Sequence, residues 1–207
     1  MIKQWRQINY RENIHLLLNQ KNYKIGIEIG TFEGDFTNRI LSNWGGTLYS
    51  LDVWAEIDYN EYRDDSNRKP EDTLHKVIDN VKGYENRNVL IRTTSEYGST
   101  MFPDEYFDFV YIDANHKYEY VKKDIEYWYP KIKKGGMISG HDYIGDYDSE
   151  KTIDGKNTHV RVFDEKKKQL PIVGIFGVNP AVDEFTKEHD KKFYVTKEYF
   201  GTWYFFK

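Results

Sequence analysis

Tyr111-Ile112-Asp113-Ala114-Asn115-His116 and, downstream, Ser139-Gly140-His141-Asp142-Tyr143 are the stretches that decide the fold of this chain. Each closes an apolar run of β type, Phe107 to Ile112 and Met137 to Ser139, and each run stops at a carboxylate. Between them Tyr118, Val121, Ile125 and Trp128 recur at helical spacing, so the pattern reads strand, helix, strand. A crossover of this kind lays the two strands parallel in one sheet. Asp113 and Asp142 then emerge at the same carboxyl edge, where ligands of open α/β sheets bind. His116 and His141 converge with them. Two acids and two imidazoles suit a divalent cation held beside a general base.

Upstream, Lys24 to Ile29 reads as a buried strand that turns through Gly30-Thr31-Phe32-Glu33-Gly34 into a helix carrying Phe36, Ile40 and Leu41. Glycine lets backbone come close to a ligand and a helix start offers free N–H groups, so this turn is a ligand cradle. After Gly45-Gly46, the strand Thr47 to Leu51 ends at Asp52, an acid well placed to accept hydrogen bonds from two ribose hydroxyls. Leu74, Val77, Ile78 and Val81 mark a further helix, Asn88 to Arg92 a third strand, and Thr94-Ser95-Glu96 opens a short helix. Val178 to His189 reads as a helix with Pro180 in its first turn, and Lys192 to Thr196 with Thr202 to Phe206 as an antiparallel hairpin. The expected fold is α/β, Rossmann-like and doubly wound: a mostly parallel seven-stranded sheet with a C-terminal antiparallel hairpin and helices on both faces.

At 207 residues and 39% hydrophobic content the chain can build one substantial core. Residues 1–207 are expected to form a single domain, with 1–22 as an N-terminal helical extension and 54–70 and 144–160 as active-site loops. The net charge of -4, with no dense basic block beyond Lys166-Lys167-Lys168, speaks against nucleic acid as a partner. No apolar run reaches membrane-spanning length, so no membrane association is expected. The absence of cysteine excludes disulfides, thiolate chemistry and cysteine-based metal sites, and suits a cytoplasmic location. Eighteen tyrosines and five tryptophans include rings of the kind that build sugar platforms, the segment Asp58 to Tyr62 among them, although packing accounts for most. His15, His75, His159 and His189 have no comparable context and read as surface or packing residues, with only the loop of His159 near enough to approach a substrate.

Glu28-Ile29-Gly30-Thr31-Phe32-Glu33-Gly34 resembles the E-x-G-x-x-x-G first motif of class I S-adenosylmethionine-dependent methyltransferases, and Asp52 stands where that family has its ribose-binding acid. A dinucleotide G-x-G-x-x-G would need glycine where Glu28 stands, which demotes a nicotinamide oxidoreductase. The run Phe107 to Tyr118, then Lys134-Gly135-Gly136, then Gly140-His141-Asp142-Tyr143 is similar more narrowly to the metal-dependent sugar O-methyltransferases of the macrocin and mycinamicin type. The resemblance spans roughly residues 22 to 207. It implies S-adenosylmethionine bound by Glu28, Gly30, Thr31, Phe32, Gly34, Asp52, Ser95, Glu96 and Asp113, the Ser95-Glu96 pair reaching the adenine. It implies a divalent metal, Mn2+ or Mg2+, on Asp113, His141 and Asp142. His141 replaces an acid of the relatives, which shifts preference toward Mn2+ or another transition ion.

His116 matches the base position of one branch, whereas another branch has an acid where this chain has Asn115. The implied catalytic residues are therefore His116, as a neutral imidazole with a reference pKa of about 6.5, and Asp113. The implied acceptor is a sugar hydroxyl, on a glycan or a deoxy-sugar such as rhamnose. A homo-oligomer, or one domain of a larger glycan-building protein, are both compatible arrangements. A catechol-like phenol is the alternative acceptor, and a non-catalytic carbohydrate-binding domain of the same fold is the alternative from outside enzymes.

Overall fold

A computed structural model describes residues 8–55, 69–144, 147–151, 158–162 and 177–207. A single 3-10 turn, Arg11–Asn13, leads into α1 (Ile14–Gln20). Then come β1 (Ile25–Ile29), α2 (Asp35–Asn43), β2 (Thr47–Asp52), α3 (Pro70–Asn80), β3 (Asn88–Arg92) and α4 (Ser95–Thr100). The crossover read from sequence follows as β4 (Phe107–Ile112), α5 (Tyr118–Trp128) and β5 (Ile132–Ile144). β6 (Tyr147–Lys151) and β7 (Thr158–Val162) pair with each other, and α6 (Val178–Glu188), β8 (Phe193–Val195) and β9 (Phe200–Phe206) complete the described chain.

Seven strands form one sheet in the order β3-β2-β1-β4-β5-β9-β8. Every pair from β3 to β5 is parallel, and β9 runs antiparallel to both β5 and β8. The chain winds outward from β1 to β3 on one side and from β4 to β5 on the other. Between β1 and β4 the carboxyl ends therefore open a crevice, the place where such sheets bind ligands.

Alternation along β4 divides the core in two. Val110 and Ile112 face the layer that holds Val121, Ile125 and Trp128 of α5 with Val182 and Phe185 of α6. Phe109 and Tyr111 face the layer built by Leu17 of α1, Ile40 and Leu41 of α2 and Val77 of α3. Residues buried on both faces make β4 read as a continuous apolar run, as parallel central strands do. Phe109 leaves no room opposite itself: a Cβ at Gly26 would lie 2.0 Å from its ring.

Helix α5 is shaped by its start as well as its stripe. Lys117 stands extended before the first turn, its N–H donates to Asn115 Oδ1 at 3.0 Å, and Glu119 complements the helix dipole. The stripe buries Val121, Ile125 and Trp128, and it also buries Asp124, which the apolar spacing had not marked. One further difference concerns the expected loops. Within 144–160, β5 runs on to Ile144 and β6 and β7 form a two-stranded ribbon where an irregular loop was expected. The loop at 54–70 is described only at 54–55 and 69–70, so its aromatic segment at 58–62 lies outside the described residues, as do residues 1–7 of the extension. Among the described residues no helix is long and apolar enough to cross a membrane.

Candidate active site

The turn from β1 to α2 adopts the backbone that its glycines allow. Gly30 and Gly34 have φ of 86° and 84°, Gly34 stands at the N-cap of α2, and Phe32 between them has φ of 52°. Gly30 also has no space for a side chain, since a Cβ there would sit 2.1 Å from the Asp113 carbonyl oxygen. The two carboxyl-edge loops thus touch backbone to backbone. Asp52 secures the turn from the other side: its Oδ2 accepts from Phe32 N–H at 2.8 Å and its Oδ1 from Trp54 N–H at 3.1 Å. Burial pushes the Asp52 carboxyl up, against the pull of these backbone donors. Carboxylate oxygens have spare lone pairs, so ribose hydroxyls remain acceptable partners. Glu28 is buried at the end of β1, where it accepts a hydrogen bond from Thr37 Oγ1; burial pushes its carboxyl up to about 8, against the Thr37 hydrogen bond and the charge of Arg11.

Asp113, His141 and Asp142 meet at the ends of β4 and β5, with one ligand atom from each lying within 4.8 Å of the others. Consecutive residues of a regular strand point to opposite faces. His141 and Asp142 nonetheless reach one site, because the β5–β9 register slips between Gly140 and Tyr143 and Asp142 takes a left-handed φ of 60°. This is a bulge that re-aims a side chain. His141 Nδ1 lies 3.2 Å from Asp142 Oδ1 and 3.9 Å from Asp113 Oδ1. A cation about 2.1 Å from each ligand in octahedral geometry needs neighbouring ligand atoms roughly 3 Å apart. The donor types present, two carboxylates and an imidazole, are those a divalent ion takes, with His141 and Asp142 near that spacing and Asp113 farther out.

His116 lies against the same acids, its Nε2 2.8 Å from Asp142 Oδ2 and 3.6 Å from Asp113 Oδ1. Burial alone would lower its pKa; the hydrogen bonds and charges of Asp113 and Asp142 outweigh burial and raise it to about 10. Burial likewise disfavours the charged form of Asp142, yet His116 and His141 hold that carboxyl well below the usual range. In this arrangement the two acids favour the protonated imidazole over the neutral one expected from sequence. His116 becomes a proton acceptor only when the negative charge of the two acids is engaged elsewhere.

With this geometry in view, comparison places the chain among known proteins. A family model described as a methyltransferase domain matches residues 27–143, more than half of the sequence, and takes in the cradle, Asp52 and the whole acid and imidazole cluster. The chain belongs to the methyltransferase-domain family. No curated protein matches the sequence at a significant level. Solved structures share the fold at low identity. A Staphylococcus aureus protein described as a proposed caffeoyl-CoA O-methyltransferase is 16% identical over 99% of this chain and 85% of its own, with a TM-score of 0.63. An O-methyltransferase of Bacillus cereus in complex with SAH is 14% identical over 95% and 80%, TM-score 0.60. The O-methyltransferase TomG of Streptomyces achromogenes, in complex with SAM, is 13% identical over 95% and 78%, TM-score 0.60.

Within this methyltransferase domain the expected site residues fall into two groups. Gly30, Thr31, Phe32, Gly34, Asp52, Asp113, His116, His141 and Asp142 stand at or near the carboxyl ends of β1, β2, β4 and β5, and Glu28 lies buried within β1. Ser95 and Glu96 stand at the start of α4. Ser95 turns its hydroxyl to α5, donating to Asp124 and accepting from Trp128 Nε1 at 2.9 Å, while Glu96 is exposed and hydrogen-bonded to Tyr127 of the same helix. His15, His75 and His189 lie elsewhere: His15 Nδ1 meets the Glu12 carbonyl, His75 is exposed, and His189 packs 4.2 Å from the Phe185 ring. The side chain of His159 lies outside the described residues. One functional neighbour had no signal in the sequence. Arg11, from the N-terminal segment, pairs its Nη2 with Asp113 Oδ2 at 2.6 Å. A lone arginine in a polar stretch before a short helix carries no spacing that would have shown this.

Proposed function

We propose that this domain is an S-adenosylmethionine-dependent O-methyltransferase that methylates a sugar hydroxyl with the help of a divalent cation. The observation that carries the reading is the convergence of Asp113, His141 and Asp142 beside His116, next to the glycine turn. When bound, S-adenosylmethionine supplies a methyl group on a sulfonium leaving group, and a divalent cation makes a coordinated hydroxyl more acidic.

The residues of the chain supply the rest. Asp52 would accept hydrogen bonds from the ribose, and the Gly30–Gly34 turn, its own N–H groups donating largely to Leu51, Asp52 and Thr31, would bring backbone close to the cofactor ahead of α2. Asp113, His141 and Asp142 would hold the cation. With both carboxylates so engaged, His116 loses its reason to be charged and takes the acceptor hydroxyl proton as the oxygen attacks the methyl carbon. Bound S-adenosylmethionine would supply the methyl carbon and keep the electron pair of the broken carbon–sulfur bond, leaving a methyl ether, a neutral thioether and a protonated His116. Base and cation centre thus work as one unit. The likeness to a proposed caffeoyl-CoA O-methyltransferase supports a second acceptor class, a catechol-like phenol.

Calorimetric titration of S-adenosylmethionine into the protein, with and without Mn2+, tests the reading on wild type, Asp52→Ala and Asp113→Ala. The expected result is cofactor binding lost in Asp52→Ala and Mn2+ binding lost in Asp113→Ala. A parallel methyl-transfer screen of deoxy-sugars, glycans and catechols then decides the acceptor. Well-folded protein that ignores S-adenosylmethionine would overturn the assignment.

A further inference from the structure

Asp113 divides its two carboxylate oxygens between different neighbours. Its Oδ2 accepts from Arg11 Nη2 at 2.6 Å, whereas its Oδ1 faces His116 Nε2 at 3.6 Å and His141 Nδ1 at 3.9 Å. Arg11 is 102 residues away in sequence yet fixed at several points. Its guanidinium lies over the Phe36 ring, 3.9 Å from the centroid, and 5.3 Å from that of Tyr111. Its backbone N–H donates to Glu198 Oε1 at 2.6 Å, and beside it Lys197 N–H donates to Asn9 O at 2.7 Å. Residues 9–11 are thereby stitched to the turn between β8 and β9. A planar guanidinium resting on an aromatic face arrives preorganised, in a way that a flexible ammonium would not.

We propose that Arg11 is a positioning residue of the cation centre, which by holding Oδ2 presents Asp113 to the ion as a one-oxygen ligand with Oδ1 turned toward His141 and Asp142. The inference rests on the cation reading given above. A carboxylate that rotates freely offers either oxygen or both; one whose outer oxygen is tied offers a single donor in a set direction. Hydrogen-bond partners of this outer kind typically contribute about 10–100-fold to metal affinity. The positive charge of Arg11 acts the other way, so the sign of the measured change separates positioning from repulsion.

The test is titration of Mn2+ followed by electron paramagnetic resonance on full-length wild type, Arg11→Gln and Arg11→Lys, with thermal melting as the check of folding. Arg11→Gln is expected to bind Mn2+ about 10–100-fold more weakly and to give an altered spectrum of the bound ion, because its Asp113 ligand is no longer fixed. Arg11→Lys is expected to recover part of the affinity, since it keeps the charge but not the fork. Unchanged affinity in Arg11→Gln overturns the proposal, and tighter binding overturns it too by making Arg11 a competitor of the ion. Should Arg11→Gln fail to fold, Arg11→Lys decides alone: weaker binding than wild type supports positioning, and equality overturns it. A wild type that binds S-adenosylmethionine but no Mn2+ removes the cation centre and the role of Arg11 together, while leaving the methyl-transfer reading in place.

Discussion

Asp142 carries two demands at once, a ligand position and a left-handed backbone with φ of 60°. The second demand is a steric one. Among residues with a Cβ, asparagine and aspartate tolerate that region best, whereas β-branched residues do not. Asp142→Asn should therefore keep the bulge and fold, melting somewhat below wild type for want of its pairing with His116 and His141, while losing Mn2+ affinity by at least about tenfold through loss of ligand charge. Asp142→Val should lose the ion and also about 1–3 kcal/mol of stability by urea unfolding. Equal stability of the two variants would show that the bulge is not strained. Gly-His-Asp-Tyr was readable as the end of a strand carrying an imidazole and a carboxylate, but a bulge has no signature in a two-residue period, so the means by which adjacent side chains share a face was not legible. Arg11 was illegible for a different reason. Its partner lies on β4, and only the folded chain brings an N-terminal arginine to a strand end.

Elements with a clear period were readable. The stripe Val121, Ile125 and Trp128 predicted α5 and its buried face, and the aromatic strands around Tyr199-Phe200-Gly201 predicted the hairpin, because in both cases burial enforces the spacing. The ribbon of β6 and β7 lacks that enforcement, since among the described residues its strands pair only with each other. Asp124 is the exception inside the readable helix, a carboxyl on the buried stripe that accepts a hydrogen bond from the Ser95 hydroxyl. Burial raises it to about 7, against the Ser95 hydrogen bond. A folded pKa above the unfolded value of about 4 means that its contribution is fully present below pH 4 and is lost as pH rises through about 7. Asp124→Asn keeps an acceptor for Ser95 without the charge. Between pH 4 and pH 8 the wild type should lose as much as ~4 kcal/mol relative to that variant, read by urea unfolding at both ends of the window. A difference that stays constant across the window would mean that Asp124 is not ionising in place.

At the scale of the whole molecule, the strand order sets what touches what. Because β1 and β4 are neighbours at the point where the winding reverses, the glycine turn and the Asp113 loop meet, and Asp52 and Asp142 flank them from either side. The topology was legible because alternating strand and helix patterns admit few arrangements once crossovers are right-handed. A ligand seated at this junction contacts the ends of β1, β2 and β4 together, and the unfolded chain offers it nothing comparable. Its binding energy is then added to folding stability by mass action, about 2.7 kcal/mol at a ligand concentration of one hundred dissociation constants. For a chain of this size each kcal/mol raises the melting temperature by roughly 2–4 °C, so saturating S-adenosylmethionine should raise it by about 5–10 °C. Asp52→Ala should melt near the ligand-free wild type and respond to neither S-adenosylmethionine nor its demethylated product. An equal rise in wild type and Asp52→Ala would place the cofactor away from the β1–β4 crevice, and with it the chemistry assigned to that edge.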